Sequence, residues 1–154
     1  MKPLALITGV GPGTGASVAR RFAAAGYRTA LLARNEKRLN ALASELPDSK
    51  AIVCDVTDSE ALARAVEAAG PVDVVVHNAV GGGWGTFSEI EPEMLENNFQ
   101  VNVMALLHLA RLTTPSMVQA GKGALIVTGN TSALRGRAPF AGFAPTKAAQ
   151  RFLA

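Results

Sequence analysis

Thr8-Gly9-Val10-Gly11-Pro12-Gly13-Thr14-Gly15 joins a short apolar run, Leu4 to Thr8, to a helical pattern from Thr14 to Ala25. Glycine suits such a turn for three reasons: positive φ, close backbone approach to a pyrophosphate, and tight packing of helix on strand. The helix start behind it offers free N–H groups and the positive end of a dipole. A plain strand-to-helix turn also favours glycine. Four glycines in the first strand–helix unit of an alternating chain favour the phosphate-binding reading, with Thr8, Gly9, Gly11, Gly13, Thr14 and Gly15 as its residues.

Outward from this turn the alternation continues. The apolar stripe of Val18, Ala19, Phe22 and Ala25 ends at Gly26. A second strand is expected over Arg28 to Ala33, a helix over Glu36 to Leu46, and a third strand over Ala51 to Cys54. Thr57-Asp58-Ser59-Glu60 fits a capping box with Thr57 as the cap, opening a helix that runs to Gly70-Pro71. Val72 to His77 reads as a strand buried on both faces, and Gly81 to Gly85 as a loop. A long helix is expected from Pro92 to Gln119, kinked at Pro115, then a strand over Ala124 to Thr128 and a last helix from about Gly142. Repeated strand–helix alternation predicts a doubly wound parallel sheet with helices on both faces, a Rossmann-type three-layer α/β/α fold.

Composition agrees. The 154 residues, 49% hydrophobic and 18% charged, suit one domain over 1–154 and exclude disorder. No apolar run reaches the roughly 18 residues of a membrane span, and the start is too short in apolar residues for a signal peptide. The single Cys54 excludes a disulfide framework and a cysteine metal cluster, and fits a reducing cytoplasm. It reads as a small buried hydrophobe, and no metal site is expected. The net charge of +3 comes from scattered Lys and Arg, so no nucleic-acid partner is expected and anionic ligands are only weakly hinted at.

The Thr-Gly-x-x-x-Gly-x-Gly spacing resembles the fingerprint of the short-chain dehydrogenase/reductase family, and further motifs follow in that family's order. Cys54-Asp55-Val56 is similar to its third-strand Asp motif, which implies that Asp55 contacts adenine, although Asp55 also suits a turn cap. His77-Asn78-Ala79-Val80 resembles its Asn-Asn-Ala-Gly motif, with Asn78 and Ala79 kept and His77 read as a satisfied packing residue. Asn102 falls at the structural and catalytic Asn of the long helix, and Lys147 at the Lys of Tyr-x-x-x-Lys. The resemblance spans the chain. It implies an oxidoreductase with a nicotinamide cofactor, a small carbonyl or alcohol substrate, a homodimer or homotetramer, and a longer chain that continues past Ala154.

Within that resemblance the second strand ends Leu32-Ala33-Arg34-Asn35. A carboxylate there would accept from the ribose hydroxyls of NAD; Ala33 cannot, and the Arg34 guanidinium can bind a 2′-phosphate bidentately. Arg34 could instead be a solvated charge, as Lys37 and Arg38 are read to be, yet a cation at a helix start opposes the dipole. NADP is expected, with NAD the lesser alternative.

The catalytic positions depart from the family pattern. Four residues before Lys147 stands Phe143, where the family has Tyr; thirteen before that stands Asn130, where it has Ser. The only tyrosine, Tyr27, lies before the second strand and cannot reach this site. Three roles are expected: Lys147 binds ribose and aids proton transfer, Asn102 supports a water or backbone relay, and Asn130 orients the substrate oxygen. The rival expectation is a nucleotide-binding relative without turnover. A register shift would bring in Ser132, but no shift supplies a tyrosine. Trp84 and Phe87 are equally readable as pocket liners or loop anchors; Arg135 and Arg137 read first as solvated loop charges, with attraction of an acidic substrate the lesser alternative.

Overall fold

The computed structural model describes residues 2–154. Its strands are β1 Leu4–Thr8, β2 Arg28–Ala33, β3 Ser49–Val53, β4 Val74–His77 and β5 Ala124–Val127. Its α-helices are α1 Thr14–Ala24, α2 Glu36–Glu45, α3 Ser59–Ala69, α4 Pro92–Phe99, α5 Ala105–Gln119 and α6 Ala144–Leu153. The five strands are all parallel in the order β3-β2-β1-β4-β5. The doubly wound Rossmann-type sheet expected from the alternation is therefore present.

Two layers of core follow from the period of two along each strand. Leu4, Leu6, Leu32 and Val75 face one side and pack with Leu62, Ala65, Ala105 and Leu109 of α3 and α5. Ala5, Ile7, Leu31, Val74 and Val76 face the other and pack with Ala16, Ala19, Leu39 and Leu42 of α1 and α2. The chain winds outward from β1 to β3, then returns to lay β4 on the free side of β1. That reversal opens a crevice beyond the carboxyl ends of β1 and β4, the place where open α/β sheets bind ligands.

Local expectations are corrected in several places. The cap of α3 is Asp58, not Thr57: Asp58 Oδ1 accepts from the N–H groups of Glu60 and Ala61 at 3.0 and 2.9 Å. Thr57 turns back instead, donating its N–H and hydroxyl to Asp55 Oδ1. β3 begins earlier than expected and β4 later, because pairing registers with β2 and β1 set the strand limits. The long helix departs from α geometry at a π-helical segment, Gln100–Met104, and runs on through Pro115 to Gln119. Wider winding leaves carbonyls for side chains: Val101 O accepts from His77 Nε2 at 3.1 Å, and Asn102 O from Gln150 Nε2 at 2.9 Å.

His77 ties three elements together. Val101 O can only accept, so Nε2 carries the ring proton. Nδ1 is then the acceptor for the Thr8 hydroxyl at 3.0 Å, and Thr8 Oγ1 in turn receives the Ala79 N–H. Burial pushes the imidazole down to about 4, helped by the nearby Lys147 charge, so the ring is neutral at ordinary pH. The satisfied packing role read from the sequence is the one found.

Because the folded pKa of His77 lies below its ordinary 6.5, the unfolded chain takes up this proton first as pH falls. Stability from this group is complete above about pH 6.5 and is lost progressively toward pH 4, by up to about 3 kcal/mol. Urea unfolding between pH 7.5 and 5 is expected to show that slope, and His77→Gln to flatten it; equal slopes would refute the assignment. The glycines offer a second check. A Cβ on Gly9, at φ +67°, would lie 2.4 Å from the Ala79 backbone, whereas one on Gly11 meets nothing within 4 Å. Gly9→Ala is expected to cost about 3 kcal/mol or more from overlap and strain together, and Gly11→Ala less than about 1 kcal/mol.

Candidate functional site

The crevice is a cleft of about 1030 Å³ that runs from the glycine turn past the ends of β2 and β3 to α6. At one end Gly9, Gly11, Gly13, Thr14 and Gly15 form its wall. α1 starts here with no side-chain cap and no acidic residue in its first turn, so its leading N–H groups and dipole face the cleft uncompensated. The glycines divide by task. Cβ atoms on Gly9 and Gly15 would strike the Ala79 backbone and Gly9 O at 2.4 Å, while Gly11 and Gly13 leave open space toward the cleft. Asn78 Nδ2 donates to Gly9 O at 2.9 Å and so clamps the turn onto the end of β4. Such a cradle fits a pyrophosphate.

The middle of the cleft is lined by Ala33, Arg34, Asn35, Arg38, Asp55 and Val56. Arg34 Nη1 stands 3.9 Å from Asp55 Oδ2, with its side chain 81% exposed. Asp55 caps a turn through Thr57, as the sequence allowed, and it also lines the cleft. The Thr57 N–H holds its carboxyl below the usual range, with smaller help from the Thr57 hydroxyl and Arg34. Arg38 joins Arg34 on the same wall, although the sequence reading left it to solvent. The signal was present: like Arg34, it is a cation at a helix start, against the dipole. Cys54 is buried, and desolvation lifts its thiol to about 11, so no thiolate is available there.

Asn78, Ala79, Thr128, Asn130, Phe143 and Lys147 line the far end. Lys147 is 3% exposed, and its Nζ donates to Thr128 O at 3.0 Å and to Gln150 Oε1 at 2.9 Å. One of its three N–H groups is left for a ligand, and desolvation pushes the ammonium below its ordinary value. The Phe143 ring centroid lies 5.8 Å from Nζ. Asn130 Oδ1 accepts the Ser132 N–H at 2.9 Å, capping a short 3₁₀ turn, so Asn130 rather than Ser132 faces the cleft. Trp84 stacks edge-on against Phe140 at 4.7 Å and lies 6.4 Å from Phe143. Phe87, 89% exposed, is not part of the cleft wall.

Two sequence-predicted residues lie behind the wall. Thr8 is fully buried, its hydroxyl spent on His77. Asn102 is buried too, exchanging bonds with Gly81 N and O at 3.0 and 2.8 Å and donating to Thr146 Oγ1 at 2.8 Å. Its main-chain carbonyl accepts from Gln150 Nε2 at 2.9 Å. Sequence reasoning missed Gln150, which joins Asn102 O to Lys147 Nζ by direct bonds. Its spacing of three from Lys147 puts both on one helix face, and a polar residue on that buried face was the available clue. Tyr27 packs on Phe22 before β2 begins, at the opposite end of the sheet from the cleft. No group of three or more His, Cys, Asp or Glu able to hold a metal occurs among the described residues, and no helix there is long and apolar enough to cross a membrane.

Comparisons with known proteins bear on this geometry. The chain is 33% identical to D-erythrulose reductase of Gallus gallus over 146 residues, which cover 94% of this chain and 59% of that protein. It is 31% identical to L-xylulose reductase of Mesocricetus auratus, over 94% of this chain and 60% of that one. It therefore spans about three fifths of the length of these relatives. Among solved structures, a short-chain dehydrogenase from Streptomyces avermitilis superposes with a TM-score of 0.92 at 30% identity, covering 99% of this chain and 58% of that one. A metagenomic short-chain oxidoreductase in complex with NADP gives 0.92 at 28%, covering 98% and 72%. The profile of the short chain dehydrogenase family matches residues 3–154, and the chain belongs to that family.

Proposed function

We propose that the protein is an NADP-preferring oxidoreductase acting on a small carbonyl or alcohol substrate. The observation that carries this reading is the continuous cleft from an uncapped, glycine-lined helix start to a buried lysine. Gly11, Gly13 and the first N–H groups of α1 hold the pyrophosphate. Arg34 and Arg38 meet the 2′-phosphate, where Ala33 offers no carboxylate to repel it. Asp55 and Val56 flank the adenine, and Asn78 and Ala79 the middle of the dinucleotide. When bound, the nicotinamide gives or takes a hydride.

Lys147 then binds the ribose with its remaining N–H, and its lowered pKa suits it to move a proton, directly or through a water. Asn130 donates from its amide to the substrate oxygen, in the manner of an oxyanion hole. Asn102 acts as a positioning residue, holding the Gly81 loop against α6, and Gln150 fixes the Lys147 ammonium. Exposed Leu112 and Val118 on α5 support a homodimer or homotetramer, and the lone reduced Cys54 supports a cytoplasmic setting.

A second reading rests on Phe143. It stands on the cleft wall beside Lys147 and has no proton to transfer, where positioned acid–base catalysis is worth about 10²- to 10⁴-fold. A nucleotide-binding protein with a sensing or scaffold role would tolerate that. Fluorescence titration with NADPH and NADH, followed by turnover across a panel of aldehydes and ketones, separates the two. The enzyme reading predicts tighter NADPH binding and slow turnover that rises by about 10²-fold or more in Phe143→Tyr/Asn130→Ser. Binding with turnover seen only in the double variant would favour the silent relative; no binding of either dinucleotide would overturn both. Arg34→Asp is expected to shift preference toward NADH, and an unchanged preference would remove the NADP assignment.

A further inference from the structure

Next to the Lys147 end of the cleft lies a second, smaller cavity of about 160 Å³, walled by Asn130, Thr131, Ser132, Arg135, Arg137 and Phe140. Asn130 lines both spaces, which sets the small cavity beside the Lys147 end of the cleft. The polar groups of the small cavity are hydroxyls, a carboxamide and two guanidiniums. Among the described residues, no carboxylate lies within 4.0 Å of Arg135 or Arg137.

The surrounding chain explains that lack. Residues 97–154 contain Arg111, Lys122, Arg135, Arg137, Lys147 and Arg151 but neither Asp nor Glu. Every carboxylate side chain belongs to the first 96 residues; one of them, Asp73, pairs with Lys122 at 3.3 Å, and among the described residues none pairs with Arg135 or Arg137.

A third observation points into the same place. Ser132 is 8% exposed, and its Oγ is buried without a hydrogen-bond partner. An orphaned buried hydroxyl is unfavourable, and it belongs to a residue of this cavity's wall. Asn130 Oδ1 is already committed to the Ser132 N–H, which leaves its amide Nδ2 as a donor. The wall is also braced in advance: Gly85 N donates to Pro139 O at 2.9 Å, Ala141 N to Gly85 O at 3.2 Å, and Trp84 stacks on Phe140.

We propose that this cavity is an anion subsite, taking the carboxylate or phosphate of a substrate whose carbonyl lies at Asn130 and Lys147. The substrate class is then an oxo or hydroxy compound carrying an anionic group a few bonds from the reacting carbon. The placement of that carbon rests on the oxidoreductase reading; the anion site itself does not. Arg135 and Arg137 supply charge and hydrogen bonds, Ser132 and Asn130 supply neutral donors, and Phe140 limits the depth.

Calorimetric titration of inorganic phosphate, and separately of malonate, into protein saturated with NADPH tests this. One saturable site is expected, weakened about tenfold by Arg135→Gln or Arg137→Gln and several-fold by Ser132→Ala. NADPH affinity should be unchanged in all three. Lys122→Gln, which removes an equal charge elsewhere, is expected to leave anion affinity as it was. Whichever anion binds more tightly identifies the substrate group as phosphate or carboxylate. Equal affinity in all variants, or a loss no greater than in Lys122→Gln, would overturn the subsite. If neither dinucleotide binds, the oxidoreductase reading fails, and the same titrations on the dinucleotide-free protein still decide whether Arg135 and Arg137 hold an anion.

Discussion

The backbone of Gly9 rests directly on the backbone of Ala79, so closely that a Cβ would sit 2.4 Å from it. That contact joins the turn after β1 to the turn after β4, the two strands between which the sheet reverses its winding. Asn78 adds its bond to Gly9 O, and Thr8 and His77 add theirs directly beneath. Everything that forms the cleft hangs from this junction. The start of α1 is aimed by it, the Gly81 loop leaves from it, and the π segment is tied to it through His77. Only a residue without a side chain permits the approach, and φ +67° at Gly9 makes the requirement double.

A second feature is how much polar surface is buried between α6 and the π segment. Asn102, Thr146, Lys147 and Gln150 are each 3% exposed or less, in a region where unpaired polar groups are costly. They form a closed set: Asn102 to Thr146 and Gly81, Gln150 to Asn102 O, Lys147 to Gln150 and Thr128 O. Gln150 thereby joins the Asn102 carbonyl to the Lys147 ammonium by direct bonds. The Gln150 carboxamide holds the Lys147 ammonium in place at the end of the cleft. With Phe143 beside it, this end of the cleft is rich in positioning and poor in acids.

The cleft is also electrically divided along its length. Asp55 stands near Arg34 in the middle, whereas the small cavity beside the Lys147 end is walled by residues of the 130–140 stretch, which holds no carboxylate. The glycine turn offers backbone N–H groups and a helix dipole, and the far end offers side-chain cations.

Much of the fold was legible in order and spacing. Alternating apolar runs and helical stripes specify a parallel sheet because local period and connection length leave few topologies. The glycine turn, Asp55, Asn78, Asn130 and Lys147 were readable because each belongs to a short local pattern, and the Phe143 and Asn130 departures needed only counting. Tertiary structure decided what depends on partners far apart in the chain. It placed Thr8 and Asn102 behind the wall, because their hydrogen-bond partners lie 69 and 44 residues away. It brought Arg38 to the cleft, moved the helix cap to Asp58, and put a π-helical segment at Gln100–Met104. It also left the Ser132 hydroxyl unpartnered beside two arginines. Sequence determines which groups a chain carries and how each segment winds; which of those groups are spent on one another, and which remain for a ligand, is set by non-local contacts.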